Sequence, residues 1–214
     1  MSIAKFIANL ESADELIRIG TPVSSELEIA EITDRMAKSE GGGKALLFEN
    51  TGTEFPVVTN MMGSKRRMAM ALGVERLEEI GRRISALLGD ALSPKATLWE
   101  KMKMLPLLAD VAKWFPQSVS GRGECQQVVW QGEEADLERL PLLTSWESDG
   151  GAFVTLPMVN TLDPDTGVRN VGMYRMQRFD GHTTGMHWHI HKTGARHYDG
   201  YKRLGKRMPV VVTL

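Results

Sequence analysis

One cysteine, Cys125, stands in 214 residues, so the chain has no internal disulfide framework and no thiolate cluster for a structural zinc ion. A reducing compartment, by default the cytoplasm, is expected. Lys and Arg number 26 against 27 Asp and Glu, a balance that leaves no general field to gather nucleic acid or an anionic membrane. Nucleic acid is not expected as a partner, since any such role would need a local basic patch. Nowhere does an uncharged apolar run approach the ~20 residues that cross a bilayer, and the opening "MSIAKFIANLESADELIRIG" is a short amphipathic helix broken by charges rather than an apolar export signal. Internal repeats and low-complexity tracts are absent as well.

What is present is 42% hydrophobic residues, enough for one large core or two modest ones. In "SELEIAEITDRMAKSEGGG", Ser25 and Glu28 have capping-box spacing, Ile29, Ile32 and Met36 share a helical face, and three glycines end the helix. "KALLFEN" and "FPVVTN" follow as strands, and "LEEIGRRISALL" returns to helical spacing through Leu77, Ile80, Ile84 and Leu88. Residues from Thr97 to Trp114 keep a helical pattern, with Pro106 expected to kink or end it. Periodicity is then lost in "FPQSVSGRGECQQ", which predicts a domain boundary near residue 120.

Beyond it the character turns to strands. "GAFVTLPMVNTL" and "VRNVGMYRMQRF" flank "DPDTG", a turn sequence that predicts an antiparallel hairpin. "TGMHWHIHK" is a third candidate strand, and "MPVVVTL" a fourth whose abrupt end suggests a fragment of a longer protein. On a strand, His187, His189 and His191 would share one face, as in the His-x-His start of a cupin-like mononuclear metal site, but no Glu follows to complete such a ligand set. The alternative is a half-exposed strand with solvated imidazoles.

The stretch "NVGMYRMQRFDGHTTGMHWHIHKTGARHY", residues 170–198, resembles the pocket-lining segment of the UbiD-type decarboxylases, which reads Asn-x-Gly-x-Tyr-Arg, a spacer, then Met-x-Trp and a basic residue. "DLERLPLLTSWESDGGAFVT", "NTLDPDTG" and "NMMGSKRRMAMALG" extend the likeness upstream through Leu-Pro, Asp-Gly-Gly and Asn-x-x-Gly-Ser elements. The resemblance implies an α+β chain: a small α/β domain over 1–120, then over 121–214 the first part of a split β-barrel that binds prenylated FMN. It implies a non-oxidative, reversible decarboxylase of an aromatic or α,β-unsaturated acid, with a setting in ubiquinone or menaquinone biosynthesis, and a homo-oligomer. Arg175 would be catalytic, its guanidinium forking onto the substrate carboxylate. Met173, Tyr174, Arg175, His187, Trp188, His189, Lys192 and Thr193 would contact the cofactor. Asn170 would bind Mn²⁺ or another divalent cation, with K⁺ as a further candidate ion, an amide oxygen being a hard ligand; a role for His191 at the metal stays open.

Two further expectations follow from the resemblance. The family's acidic partners lie past the equivalent of "MPVVVTL", so the chain alone is expected to be inactive, and a non-catalytic flavin-binding or assembly module is the competing reading. Asn170 and Arg175 are five residues apart and would face opposite ways on a regular strand, so a bulge at Asn170–Met173, centred on Gly172, is expected to bring both into one pocket.

Overall fold

The computed structural model describes residues 2–92, 102, 105–115, 118 and 120–214. Helix α1 (Ile3–Ser12) starts where the Ser2 hydroxyl accepts the Lys5 N–H, and it buries Phe6 and Leu10, one turn apart. The helix expected over the opening stretch ends at Ser12, and its later part, Leu16–Ile19, is instead strand β1, which leads through α2 (Glu28–Ala37) to β2 (Ala45–Phe48), parallel to it; β3 (Val57–Thr59) then pairs antiparallel to β2. All four residues of the central β2 are buried. Alternation sends Ala45 and Leu47 to a core with Phe6, Leu10 and Leu16, and Leu46 and Phe48 to a second core with Val23 and Ile29.

The expected cap of α2 is corrected: the helix starts at Glu28, with Leu27 and not Ser25 as its N-cap. The Glu28 carboxylate accepts the N–H of Ser24, not Ser25, and Leu27 precedes the helix with φ of 67°. Residues 25–27 pair with Thr144 instead of entering the helix: the Ser25 carbonyl accepts the Thr144 N–H, and Leu27 donates to the Thr144 carbonyl. This short parallel bridge ties the first region to the second.

After α2 the chain turns through Gly41, Gly42 and Gly43, all at positive φ; a Cβ on Gly42 would stand 1.9 Å from the Gly63 carbonyl oxygen. The fully buried Arg67 of α3 (Lys65–Leu72) clasps this turn, donating to the Gly42 and Gly43 carbonyls and to Glu15. Helix α4 (Glu78–Leu92) follows as the spacing predicts, although its Ile84 and Leu88 remain exposed. The helix expected over Thr97–Trp114 lies partly outside the described residues; its part Leu105–Ala112, α5, is helical and contains Pro106.

The second region holds two three-stranded sheets and, among the described residues, no closed barrel. Both long strands expected from the sequence are split. "GAFVTLPMVNTL" divides at Leu156–Pro157 into β4 (Phe153–Val154) and β5 (Met158–Leu162), and "VRNVGMYRMQRF" divides at Tyr174–Arg175 into β6 (Arg169–Met173) and β7 (Met176–Arg178). With β8 (Thr184–Met186) and β9 (Val211–Thr213), the sheets have the orders β4-β7-β8 and β6-β5-β9. The β5–β6 hairpin is the one expected: the Asp163 carboxylate accepts the N–H groups of Asp165 and Thr166, and Gly167 takes φ of 70°. Helix α6 (Thr193–Arg203) covers one face of β5 and β6.

Candidate functional site

The site residues sit around the joint where the chain leaves one sheet for the other. The expected bulge is not there. Strand β6 pairs with β5 without interruption from Leu162↔Arg169 to Met158↔Met173, and the break falls one step later, at Tyr174–Arg175. Regular alternation therefore governs β6: Asn170, Gly172 and Tyr174 point to the face under α6, whereas Met173, 63% exposed, points to the other.

Gly172 serves close packing. The buried Tyr174 ring lies back over it, so that a Cβ there would be 2.6 Å from a ring carbon. The Tyr174 hydroxyl accepts the Gly194 N–H at 3.0 Å and the Asn170 Nδ2 at 3.4 Å, which leaves the Asn170 amide oxygen free to face a cation. Trp188 meets the Tyr174 ring edge-on, with centroids 5.7 Å apart, and packs on Tyr198 at 5.9 Å. Gly194 fits under both, since a Cβ would come within 2.9 Å of Trp188 and 3.1 Å of Tyr174.

Behind this wall Thr161, directly opposite Asn170 in register, meets the Nδ1 of the buried His197 at 2.9 Å. The other ring nitrogen of His197 lies 3.6 Å from the Asp163 carboxylate. The N–H groups of Asp165 and Thr166, with His197 and Arg196 adding to them, hold Asp163 below the usual carboxylate range. These contacts fasten α6, which begins at Thr193 with Lys192 as its N-cap, to the hairpin bearing Asn170.

Arg175 turns elsewhere. Its guanidinium carbon sits 3.7 Å above the Phe153 ring, and its Nη2 lies 3.4 and 3.5 Å from the two Asp149 oxygens. Asn170 and Arg175 thus engage separate partners, and the structure does not bring their side chains together. The backbone link to the next segment is direct: the His187 N–H donates to the Arg175 carbonyl at 2.9 Å.

The histidine segment is also corrected. Pairing ends at Met186, and His187–His191 form an exposed loop and turn instead of a strand, closed by the Lys192 N–H on the His189 carbonyl. The three rings nevertheless line up, His187 against His189 at 5.4 Å and His189 stacked on His191 at 5.6 Å. Among the described residues no group of three or more His, Cys, Asp or Glu is placed to hold a metal ion. The premise of the cupin-like site, histidines on one strand face, is lost with the strand.

Of the predicted set, Asn170, Tyr174 and Trp188 join one wall; Arg175 stands beside it, Lys192 and Thr193 begin α6, and Met173 lies on the opposite sheet face. The structure adds Asp149, Phe153, Thr161, Gly194 and His197. The Asp-Gly-Gly stretch was a visible signal for Asp149, whereas Thr161 and His197 are 36 residues apart, with no spacing to link them. A cleft of about 930 Å³ opens between α2 and residues 143–148, lined by Leu27, Thr33, Trp146 and Glu147 among others, but by none of the predicted site residues. No helix among the described residues is long and apolar enough to cross a membrane.

Residues 7–84 match the model of the 3-octaprenyl-4-hydroxybenzoate carboxy-lyase N-terminal domain, and residues 117–214 that of the carboxy-lyase Rift-related domain. An uncharacterized protein of Aquifex aeolicus is 47% identical over 98% of the chain, and one of Archaeoglobus fulgidus 45% over 92%. The chain spans 42% and 39% of these relatives' lengths. Among solved structures, the closed form of the Sedimentibacter hydroxybenzoicus vanillic acid decarboxylase superposes with a TM-score of 0.77 at 25% identity, over 99% of this chain and 42% of that one. The UbiD-class enzyme HmfF of Pelotomaculum thermopropionicum, in complex with FMN, shares the fold with a TM-score of 0.73 at 23% identity, over 99% and 42%. With one family's two domain models matched in tandem over most of its length, the chain belongs to the UbiD family of carboxy-lyases.

Proposed function

We propose that the chain supplies the cofactor-contacting wall and the carboxylate-gripping arginine of a prenylated-FMN-dependent decarboxylase acting on an aromatic or α,β-unsaturated acid. The observation that carries this is the placement of Arg175. Its guanidinium is partly exposed at the joint of the two sheets, and among the described residues its Nε and Nη1 have no hydrogen-bond partner. Its carbonyl anchors the loop that leads to Lys192.

The residues present fit an anionic flavin. Lys192 is exposed at the start of α6, where the helix dipole favours negative charge. The Gly194 N–H there donates to Tyr174, while the Thr193 and Ala195 N–H groups have no partner among the described residues and could meet a phosphate. The exposed His187 and His189, and Trp188 behind them, would border the ring system. When bound, prenylated FMN supplies the electron sink that loss of CO₂ from such acids requires. Arg175 would orient the substrate carboxylate and balance its charge. For Mn²⁺ or K⁺ the chain offers the Asn170 oxygen, but no complete ligand group among the described residues, so no step is assigned to a metal.

We further propose the domain boundary near residue 120, a split barrel beginning after it, a proton-donating glutamate from outside these 214 residues, a homo-oligomer, a cytoplasmic location and a role in quinone biosynthesis. The test is to titrate the chain with prenylated FMN, with and without Mn²⁺, and then to add the remainder of a UbiD-type protein and candidate acids. The expected result is a saturable change in flavin absorption, weakened in Lys192→Gln, with CO₂ released only after the remainder is added. Flavin binding with no CO₂ in any combination favours a non-catalytic flavin-binding or assembly module. Absence of flavin binding overturns the proposal.

A further inference from the structure

The Asp-Gly-Gly stretch at 149–151 takes no part in the chemistry just proposed, yet the fold delivers it to Arg175. The Gly150 carbonyl accepts the Gln177 side-chain amide at 2.7 Å, and a Cβ on Gly150 would stand 2.6 Å from that amide nitrogen. Gly151 takes φ of 129°, which L side chains rarely adopt. The loop therefore lies flat on β7 and aims the mostly buried Asp149 carboxylate at the arginine two residues before Gln177. Phe153, held in β4 opposite Gln177, covers one face of the guanidinium.

The contact itself is loose. Arg18 and Arg66 meet their carboxylate partners at 2.6 and 2.8 Å, within the range of charge-assisted bonds, whereas Asp149 stays at 3.4 and 3.5 Å. Both Asp149 oxygens approach Nη2 alone. That nitrogen belongs to both forks of a guanidinium, Nη2 with Nε and Nη2 with Nη1. A substrate acid that binds bidentately must therefore share or take Nη2, against the like charge of Asp149.

We propose that Asp149 is a positioning residue that acts as a placeholder. It holds the Arg175 guanidinium over the Phe153 ring in the resting site and yields Nη2 to the incoming carboxylate, with Phe153 keeping the guanidinium in place during the exchange. This rests on the reading of Arg175 as the group that grips a substrate acid.

The probe is sodium benzoate, titrated into the isotope-labelled chain with sodium chloride of equal ionic strength as control; the Arg175 Nε–Hε resonance is identified by its loss in Arg175→Lys. In the wild-type protein, benzoate should shift Arg175 saturably and move the Asp149 carboxyl carbon as it loses its partner. Asp149→Asn, which removes the competing charge, should tighten benzoate binding about three- to tenfold. Asp149→Glu, which restores it, should return the affinity toward wild type. General structural damage would instead weaken binding, so the sign separates the two. An Arg175 response with a stationary Asp149 carboxyl carbon, which needs no variant, overturns the placeholder while leaving Arg175 as a carboxylate site. Unchanged or weaker binding in a folded Asp149→Asn does the same. If chloride matches benzoate at Arg175, the reading of Arg175 fails and the placeholder falls with it.

Discussion

The two regions of the molecule solve opposite problems with similar materials. In the first, β2 is buried along its whole length, with Ala45 and Leu47 packed on one side and Leu46 and Phe48 on the other. In the second, the β6-β5-β9 sheet buries Val159 against Tyr174 and Met176, and Thr161 against His197 of α6, and turns Met158, Val171, Met173 and Val211 outward. The first region is closed around its core. The second keeps polar groups half-paired among the described residues: an amide oxygen on Asn170, two guanidinium nitrogens without hydrogen bonds on Arg175 and an exposed row of imidazoles. Apolar burial is concentrated where no chemistry is assigned, and loosely satisfied polar groups gather where a ligand is expected.

The contrast is broken most strongly from the closed side. Phe48→Ala, at a fully buried position between Val23, Ile29 and Leu46, should cost about 3–5 kcal/mol in urea unfolding. It should lose the first region before it affects the second. A cost below about 1 kcal/mol would mean that this core is looser than its burial indicates.

The next effect probes the face of the second region that α6 covers. Thr161→Val removes a hydroxyl from a nearly inaccessible pair and leaves the Nδ1 of His197 unpartnered, at about 1–3 kcal/mol. The loss should be accompanied by weaker protection from hydrogen exchange in α6. Full stability with unaltered exchange would show that packing alone holds the helix there.

Acid should then act on the same joint. The N–H donors at Asp165 and Thr166 depress the Asp163 carboxyl in the folded protein, so across the carboxylate range the unfolded chain binds the proton more readily. Its stabilisation is present at neutral pH and above the unfolded carboxylate value, and is lost as pH falls through the folded one. Asp163→Asn should flatten the acid limb of a stability–pH profile; an unchanged limb would assign acid sensitivity elsewhere.

What was legible in the sequence divides along the same line. In the first region α2, β2, β3 and α4 were readable because their helix periodicity and strand runs are dense in apolar residues, as in Ile29, Ile32 and Met36 or Ala45–Phe48, whereas β1 lay inside a stretch expected as one helix and α3 was not expected. The cap of α2 falls two residues after Ser25 because Thr144, more than a hundred positions away, pairs with the Ser25 carbonyl and the Leu27 N–H. In the second region "DPDTG" predicted its hairpin correctly, since a turn is local chemistry. Helix α6 gave no signal: "TGARHYDGYKR" carries two glycines and few apolar residues, and its two most useful features, Gly194 beneath Tyr174 and His197 on Thr161, are tertiary. The strand break was expected at Gly172 because glycine marks bulges, but here the glycine makes room for a ring, and the chain changes sheets at Tyr174–Arg175.

The smallest predicted effect is the sharpest test of the comparison. Met173→Ala removes a larger area of apolar side chain than many core substitutions would, yet the methionine is 63% exposed and lies opposite Met158, itself 52% exposed. With most of that surface already in water, the change should alter urea stability by no more than about 0.5 kcal/mol. If Met173 nevertheless contacts the flavin, flavin affinity should fall while stability holds, because the contact would exist only in the complex. A stability loss like that of Phe48→Ala would instead show that the outward face is covered in the free chain, and that the open region is closed after all. Equal stability with equal flavin affinity would remove Met173 from the cofactor set and leave Tyr174 and Trp188, on the other face, as its aromatic members.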